Sequence, residues 1–226
     1  MKFENKIPRS DCFIGILVVE NVTAESKREE LDEKLNSLLK QRKENPLNDF
    51  EEKFREGTRK LLKNGKYRAT GRGKPASEYL LRESLSDSFP KLHVLVDVNN
   101  YISLKYMIPV SLWDLNLAKS DEFIFRLGQA GESYIFNSIG QELQLEDLIC
   151  GCTVQDSIEK PIITPVKDSL ATKLVDSTNH VAMAIYYPAS VGSAEHLQSI
   201  LKEAADLFIN MGGKITFQDI IFPIMK

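Results

Sequence analysis

One segment, residues 91–107 with the sequence KLHVLVDVNNYISLKYM, constrains the fold more than any other. It follows Pro90, a residue type that suits the first turn of a helix, and it ends before Pro109. Its apolar side chains would cover nearly the whole surface of a helix, and a helix that is apolar all round is buried. The chain must therefore supply enough other elements to enclose this helix.

Three polar side chains interrupt the segment. Asn99, Asn100 and Ser103 lie seven, eight and eleven residues after Leu92, on one stripe of the helix. A buried amide without a hydrogen-bond partner costs roughly 1–3 kcal/mol, so each of them needs a partner. Two interpretations remain open: the three residues tie the helix to a neighbouring loop, or they line a polar pocket in the core.

Two amphipathic helices are predicted before this segment, after a first strand at 13–19. Ser26 with Glu29 and Asn48 with Glu51 each have the spacing of a capping box, so they predict the two helix starts. Each helix has large apolar residues at helical spacing on one face. These apolar residues are Leu31, Leu35, Leu38 and Leu39 in the first helix, and Phe50, Phe54 and Leu61 in the second. A short helix is also predicted at 77–85.

After Asp121 the sequence pattern changes from one typical of helices to one typical of strands. Runs rich in β-branched and aromatic residues alternate with polar turns, as expected for a mostly antiparallel sheet. Ser193 then caps a strong amphipathic helix that stops at Gly212, and residues 214–217 can form a last strand. The predicted strands are 122–127, 133–136, 148–154, 162–166 and 181–187. Helices at both ends and strands in the middle predict an α+β fold, with a mostly antiparallel central sheet flanked by helices.

Composition bounds the class of protein. The chain has 226 residues with a net charge of -3, enough for one domain over 1–226 and unlike a general nucleic-acid coat. The apolar run at 12–19 is too short to span a membrane and ends at Glu20, so we expect a cytoplasmic protein. No cofactor fingerprint is present, because the G-x-G at 71–73 lacks a third glycine and a preceding strand.

The three cysteines do not suggest a disulfide framework or a metal site. Cys150 and Cys152 form a lone C-x-C, and the three histidines are scattered singly, whereas zinc needs four well-spaced ligands. We therefore expect buried thiols on a strand and no metal.

Positive charge concentrates in one window of the chain. Residues 53–82 contain ten Lys or Arg against two Glu, a net charge of +8. A flexible, glycine-bearing basic stretch suits a phosphate backbone, which makes Arg68, Arg72, Lys74 and Arg82 candidates for RNA binding. The alternative is an ordinary solvated face.

Residues 71–120 carry a motif that resembles a known family. The stretch GRGKPASEYLLR, followed by LHVLVDVNNYISLKYMIPVSLWDL, is similar to the tRNA-editing B3/B4 domain of the phenylalanyl-tRNA synthetase beta subunit, and closer still to free-standing proteins built from that domain. The KDSLATK stretch at 167–173 resembles the R-D-x-x-x-T-K of the family. The likeness runs over about 66–190, and residues 1–65 would add a strand and two amphipathic helices to a single domain. Matching positions are Pro75, Ser77, Glu78, Leu80, Leu81, Arg82, Val96, Asp97, Asn100, Ser103, Leu104, Lys105, Tyr106 and Pro109.

The resemblance implies a fold with an internal pocket that receives the end of an aminoacylated tRNA. In the synthetase this pocket hydrolyses tyrosine wrongly attached to the phenylalanine tRNA, using an asparagine, a histidine and a glutamate. Asn100 matches the asparagine, whereas Ser111 stands at the histidine position and Ala184 at the glutamate position. The resemblance thus implies a pocket with Asn100, Ser111, Asp168 and Thr172, and little preference for tyrosine over phenylalanine.

Two function classes follow. The first is a tRNA-related accessory protein that binds an aminoacyl-tRNA end or an aminoacyl-like ligand, with deacylation of mischarged tRNA as the reaction and the catalytic residues unassigned. The alternative is a non-enzymatic module that binds a small metabolite and no RNA. We interpret His93 and His180 as structural, because each is a lone histidine beside apolar residues.

Overall fold

The computed structural model describes residues 1–86, 88–91 and 93–224, so Leu92 lies outside the described residues. The strands are β1 Lys2–Asn5, β2 Cys12–Glu20, β3 Val110–Asp114, β4 Glu122–Leu127, β5 Ser133–Ile135, β6 Glu142–Gln144, β7 Ile149–Gln155, β8 Ile158–Ile163, β9 His180–Pro188 and β10 Lys214–Ile221. The helices are α1 Glu29–Glu44, α2 Asp49–Leu61, α3 Ala76–Leu85, α4 Val94–Tyr106, α5 Leu115–Ala118 and α6 Ala194–Asn210, with short 3-10 turns at Gly71–Gly73 and Leu170–Thr172.

The strands form two stacked sheets rather than one central sheet. The inner sheet has the order β10-β2-β9-β3 and the outer sheet the order β1-β4-β7-β8, while β5 and β6 form a separate hairpin. Every pairing is antiparallel except that of β1 with β4, which is parallel. The predicted α+β class with a mostly antiparallel arrangement is confirmed.

The inner sheet is covered on both faces. Met183 and Ile185 of β9 pack in an apolar cluster with α1, α3, α4 and α6. Ala184 and Tyr186 alternate with them and pack in a second cluster against the outer sheet. Because successive side chains of a strand point to opposite faces, this alternation places β9 between two cores.

The central helix α4 is buried as predicted, since none of its residues is exposed. Its start differs from the prediction, because the helix begins at Val94 and not at Pro90. His93 is the N-cap, and its Nδ1 accepts a hydrogen bond of 3.3 Å from the N–H of Leu95. This bond satisfies one of the free N–H groups at the helix start, which explains the later beginning and gives His93 a structural role.

One of the two predicted capping boxes forms. At the start of α2, Asn48 accepts bonds from the N–H groups of Phe50 and Glu51, and the Glu51 carboxylate accepts from the N–H of Asn48 at 2.8 Å. The predicted box at Ser26 is wrong: Ser26 Oγ accepts instead from the N–H of Thr23. The N-cap of α1 is Arg28, whose side chain makes no cap hydrogen bond.

None of the helices in the described ranges combines the length and the apolar character needed to cross a membrane.

Candidate functional site

Ser111 lies in the edge strand β3, fully buried. The β3 strand pairs antiparallel with β9, and Ser111 stands directly opposite Ala184 in that register. The two positions at which the resemblance placed a histidine and a glutamate are therefore neighbours across one ladder. Side chains directly opposite each other on one face are the closest cross-strand pairs, so this register fits two positions that would act on one ligand.

The Ser111 hydroxyl lies at the centre of a buried polar group. Its Oγ is 2.7 Å from Asp168 Oδ1, 3.1 Å from the carbonyl oxygen of Thr164 and 3.2 Å from the hydroxyl of Tyr186. A serine hydroxyl has one proton, so it can donate to Asp168 or to Thr164 but not to both. A protonated Asp168 would donate to Ser111 and leave the serine proton for Thr164.

Asp168 has an unusual carboxyl group. Burial raises its pKa to about 7, against the opposing effect of hydrogen bonds from Ser111 and from the N–H groups of Thr164 and Leu112, and of the positive charge of Lys173. The Thr164 N–H donates to Asp168 Oδ1 at 3.2 Å. Because a pKa near 7 allows both protonation states at neutral pH, this carboxyl can take up or release a proton there.

The loop that carries Asp168 is held from three sides. Thr164 Oγ1 donates to the carbonyl oxygen of Lys167 at 2.7 Å, and the hydroxyl of Tyr134 donates to the same oxygen at 2.6 Å. The N–H of Ala76, at the start of α3, donates to the carbonyl oxygen of Pro165 at 3.0 Å. We call residues 164–173 the Asp168 loop; its bonds fix the carboxyl beside Ser111.

Sequence reasoning missed part of this site. Ala184 replaces the glutamate, and Asp168, which the resemblance placed with Ser111 in one pocket, supplies a carboxyl beside Ser111 from another loop. Tyr186 was missed, although strand alternation places it on the same face as Ala184, two residues away. Tyr134 and Thr164 carried no signal, because only the fold brings their loops to Ser111.

The other two predicted pocket residues are less closely joined. Thr172 ends the 3-10 turn in the Asp168 loop, and its buried Oγ1 has no hydrogen-bond partner among the described residues. Asn100 is buried in α4, and its Oδ1 accepts from the amide of Asn99 at 3.4 Å. Within the described part of the chain, no hydrogen bond links Asn100 to Ser111, Asp168 or Thr172, so a shared pocket stays a prediction.

Ser103 fits the interpretation in which the polar stripe ties α4 to a neighbouring loop. Its Oγ donates to the carbonyl oxygen of Ile108 at 2.7 Å, which ties the end of α4 to the segment leading into β3. This bond helps to set where β3 starts, and with it the position of Ser111.

The candidate RNA-binding residues differ in whether their charged groups already have partners within the protein. Arg82 lies beside Glu83 at 2.6 Å and over the ring of Tyr79, so its charge is partly engaged. Arg68 donates to the carbonyl oxygen of Gly65 at 2.6 Å but has no carboxylate partner in the described ranges. Arg72, within the 3-10 turn, and Lys74, directly after it, are exposed, likewise without a carboxylate partner among the residues described.

Much of the sequence motif serves the fold rather than the site. Lys105 bonds Glu203 of α6 at 2.6 and 2.8 Å, Tyr101 donates to the same carboxylate at 2.9 Å, and Tyr106 also donates to it. Glu78 pairs with Arg59 at 2.5 Å, joining α3 to α2. These contacts hold helices together.

The cysteines are placed as expected. Cys150 and Cys152 lie buried in β7 as free thiols, and burial raises the pKa of both. In the ranges that the structure describes, no group of three or more His, Cys, Asp or Glu side chains is arranged to hold a metal ion.

Comparisons with known proteins point to one family. A family model described as the B3/4 domain matches residues 68–210. The fold is similar to the crystal structure of an N-terminal fragment of the phenylalanyl-tRNA synthetase beta subunit from Pyrococcus horikoshii, with a TM-score of 0.53, 9% sequence identity, and coverage of 97% of this chain and 53% of the fragment. The chain thus spans about half the length of that fragment. No curated protein matches the chain in sequence.

Proposed function

The chain belongs to the B3/4 domain family, and from this premise we propose that it holds the end of an aminoacyl-tRNA, or an aminoacyl-like ligand, beside Ser111 and Asp168. The observation that carries the proposal is the 2.7 Å contact between these two residues, at the register position opposite Ala184. Hydroxyl, carboxyl and backbone N–H groups meet there, and such convergent polar groups orient a ligand.

The reaction that this chemistry supports is hydrolysis of the aminoacyl ester. A water molecule would attack the ester carbonyl carbon while Asp168 takes its proton, and the ester C–O bond would break. The same proton would then pass to the ribose oxygen as it leaves, so that the amino acid and an uncharged tRNA result. A general base of this kind contributes typically 10²–10⁴-fold to a rate, and a pKa near the working pH favours it.

The test is a panel of mischarged tRNAs, including phenylalanine and tyrosine species, incubated with the purified protein. We expect weak deacylation with little preference for tyrosine, because Ser111, Asp168 and Tyr186 already satisfy one another and leave no free partner for the extra hydroxyl. Asp168→Asn should lower the rate about 10²-fold or more. Asp206→Asn, an exposed position on α6, is the matched control and should leave the rate unchanged. Strong tyrosine-selective hydrolysis would contradict the selectivity, and a full rate in Asp168→Asn would remove Asp168 from the reaction.

The RNA-binding part of the proposal has its own test. Arg68, Arg72 and Lys74 lie within nine residues of Ala76, which is bonded to the Asp168 loop. Replacing all three by Ala should weaken tRNA binding and flatten the dependence of log K on log salt by roughly 0.7–0.9 for each phosphate that the variant no longer binds. An unchanged salt slope would assign these residues to an ordinary solvated surface.

Measurements on the same purified protein distinguish the alternative function, a metabolite-binding module that binds no RNA. The acidic C-terminal part of the chain favours it, since residues 91–226 hold 10 Lys or Arg against 16 Asp or Glu. Thermal stabilisation by free amino acids, without salt-dependent tRNA binding, would support this alternative against the first.

We also propose that residues 1–226 act as one domain. The support is that β1 pairs with β4 and β2 pairs with β9 and β10, so the first twenty residues contribute to both sheets.

A further inference from the structure

Lys167, the neighbour of Asp168 in sequence, has an ammonium group in an unusual place. The residue is only partly exposed, and its Nζ lies 3.9 Å from the centroid of the Phe136 ring. Lys173, at the other end of the Asp168 loop, donates from its Nζ to the carbonyl oxygen of Phe136 at 2.5 Å. Two ammonium groups therefore converge on one residue beside the β5–β6 hairpin.

Arg72 adds a third positive charge, near enough to repel the ammonium of Lys167. The bond from the N–H of Ala76 to Pro165 holds the turn that carries Arg72 against the Asp168 loop. Burial lowers the pKa of Lys167, and repulsion from Arg72 and Lys173 lowers it further. Among the described residues, none of the three cations has a carboxylate within ion-pair distance.

This arrangement differs from the surroundings of a cation with a structural role. Arg126, on the outer sheet, is nearly buried and meets two carboxylates, Glu132 at 2.7 Å and Glu159 at 2.5 Å. Lys167 is half-buried and feels the positive charges of Lys173 and Arg72, which are exposed, so an anion between them would be attracted by all three. The charges of Lys167, Lys173 and Arg72 therefore suit a ligand with more than one negative oxygen.

We propose that Lys167, Lys173 and Arg72 form a phosphate subsite next to the Ser111–Asp168 pair. A phosphate presents several oxygens, so it can meet two ammonium groups and a guanidinium together. The phosphate belongs to an RNA backbone or to a small phosphorylated ligand. Only the RNA backbone as the source of the phosphate rests on the proposed function; binding of a small phosphorylated ligand does not.

The test compares the variant Lys167→Gln/Lys173→Gln with a control of equal charge change, Lys160→Gln/Lys202→Gln, whose lysines lie elsewhere on the molecule. Binding of uncharged tRNA is measured over a range of salt, and the melting temperature is measured with inorganic phosphate and with a nucleoside triphosphate. We expect the site variant to lose about tenfold or more in tRNA affinity and roughly 0.7–0.9 in salt slope. The control should match the wild type, and Lys167→Arg should stay within about twofold of it, because the charge that attracts the phosphate is kept.

The outcomes separate the two proposals. Wild-type tRNA binding that the site variant retains in full would overturn the subsite and leave the proposed function standing. Stabilisation by phosphate or the triphosphate that the site variant loses, without tRNA binding by the wild type, would support the subsite with a small ligand and count against the proposed function. A wild type that shows no phosphate stabilisation and no tRNA binding would overturn the subsite.

Discussion

Two carboxyl groups of this protein, Asp168 and Glu203, each accept at least one hydrogen bond from a hydroxyl group, yet their pKa values move in opposite directions. Burial acts to raise the pKa of Glu203, but hydrogen bonds from Lys105, Tyr106 and Tyr101, with the charge of Lys105, outweigh it and lower the pKa. Asp168 receives a serine hydroxyl and backbone N–H groups but no ammonium contact, so burial dominates and its pKa rises to about 7.

The difference shows what separates a carboxylate that holds helices together from one that is available for chemistry. Glu203 is a fixed anion because a cation bonds to it directly. The positive charge of Lys173 acts on Asp168 only through space, because its ammonium donates instead to the carbonyl oxygen of Phe136. A direct ion pair, more than the number of hydroxyl groups, sets the charge state.

The largest effect expected from this comparison is the pH dependence that Asp168 gives to stability. Its pKa in the folded state is raised above the ordinary value of 3.8, so its stabilising contribution is full below that value and is lost as the pH rises to about 7. At about 1.4 kcal/mol for each pKa unit, the wild type should lose up to about 4 kcal/mol relative to Asp168→Asn between pH 4 and pH 8. Denaturant unfolding of both proteins across this range measures the difference.

Glu203→Gln is the control for that measurement, because the pH dependence that Glu203 gives to stability has the opposite sign. The folded pKa of Glu203 is lowered below 4.5, so its contribution is present above pH 4.5 and is lost as the pH falls below it. If the difference in unfolding free energy between the wild type and Asp168→Asn stays constant from pH 4 to 8, the two carboxyls do not differ in the way described.

The next effect is the loss of the Glu203 cluster itself. Glu203→Ala leaves the ammonium of Lys105 and the hydroxyls of Tyr101 and Tyr106 without their common acceptor, which should cost about 2–3 kcal/mol in the free energy of unfolding at pH 7. Asp206→Asn on the same helix is exposed and should change it by less than about 0.5 kcal/mol. Equal losses in the two variants would mean that the cluster does not hold α4 to α6.

The smallest effect concerns the hydroxyl groups. Ser111→Ala removes a hydrogen bond that lowers the pKa of Asp168, so the pKa should rise further, with a loss of about 1 kcal/mol in stability. Thr172→Val is the comparison, because the buried Thr172 hydroxyl has no partner in the described ranges and its removal should cost nothing. Carbon-13 NMR of the Asp168 carboxyl reports the pKa, and a fall in Ser111→Ala would contradict the hydrogen bond as described.

The sequence predicted the elements whose signal is local. The apolar pattern of α4, the capping box of Asn48 and Glu51 and the strand at 122–127 all depend on residues within a few positions of one another, and all three are confirmed. Ser111 and Ala184, the two positions singled out by the resemblance, stand opposite each other in the β3–β9 register.

The sequence could not predict what depends on distant contacts. The strand β3 was missed because VSLWD is short and has no alternation with polar residues, since both its faces are buried. The resemblance placed Ser111 and Asp168 in one pocket, but their direct hydrogen bond joins residues 57 positions apart, and only the fold determines it. Phe50 was expected on the apolar face of α2; its ring contacts those of Phe54 and His196, but 51% of the residue stays exposed.

The strand order of the inner sheet has a consequence for synthesis on the ribosome. β2 comes early in the chain but pairs on its two sides with β9 and β10, which are made last. Contacts so distant in sequence close slowly, and until they form the apolar β2 has neither of its neighbours. A nascent chain that has not yet emerged past residue 180 therefore exposes an unpaired apolar strand, which is the state most open to aggregation or to a chaperone.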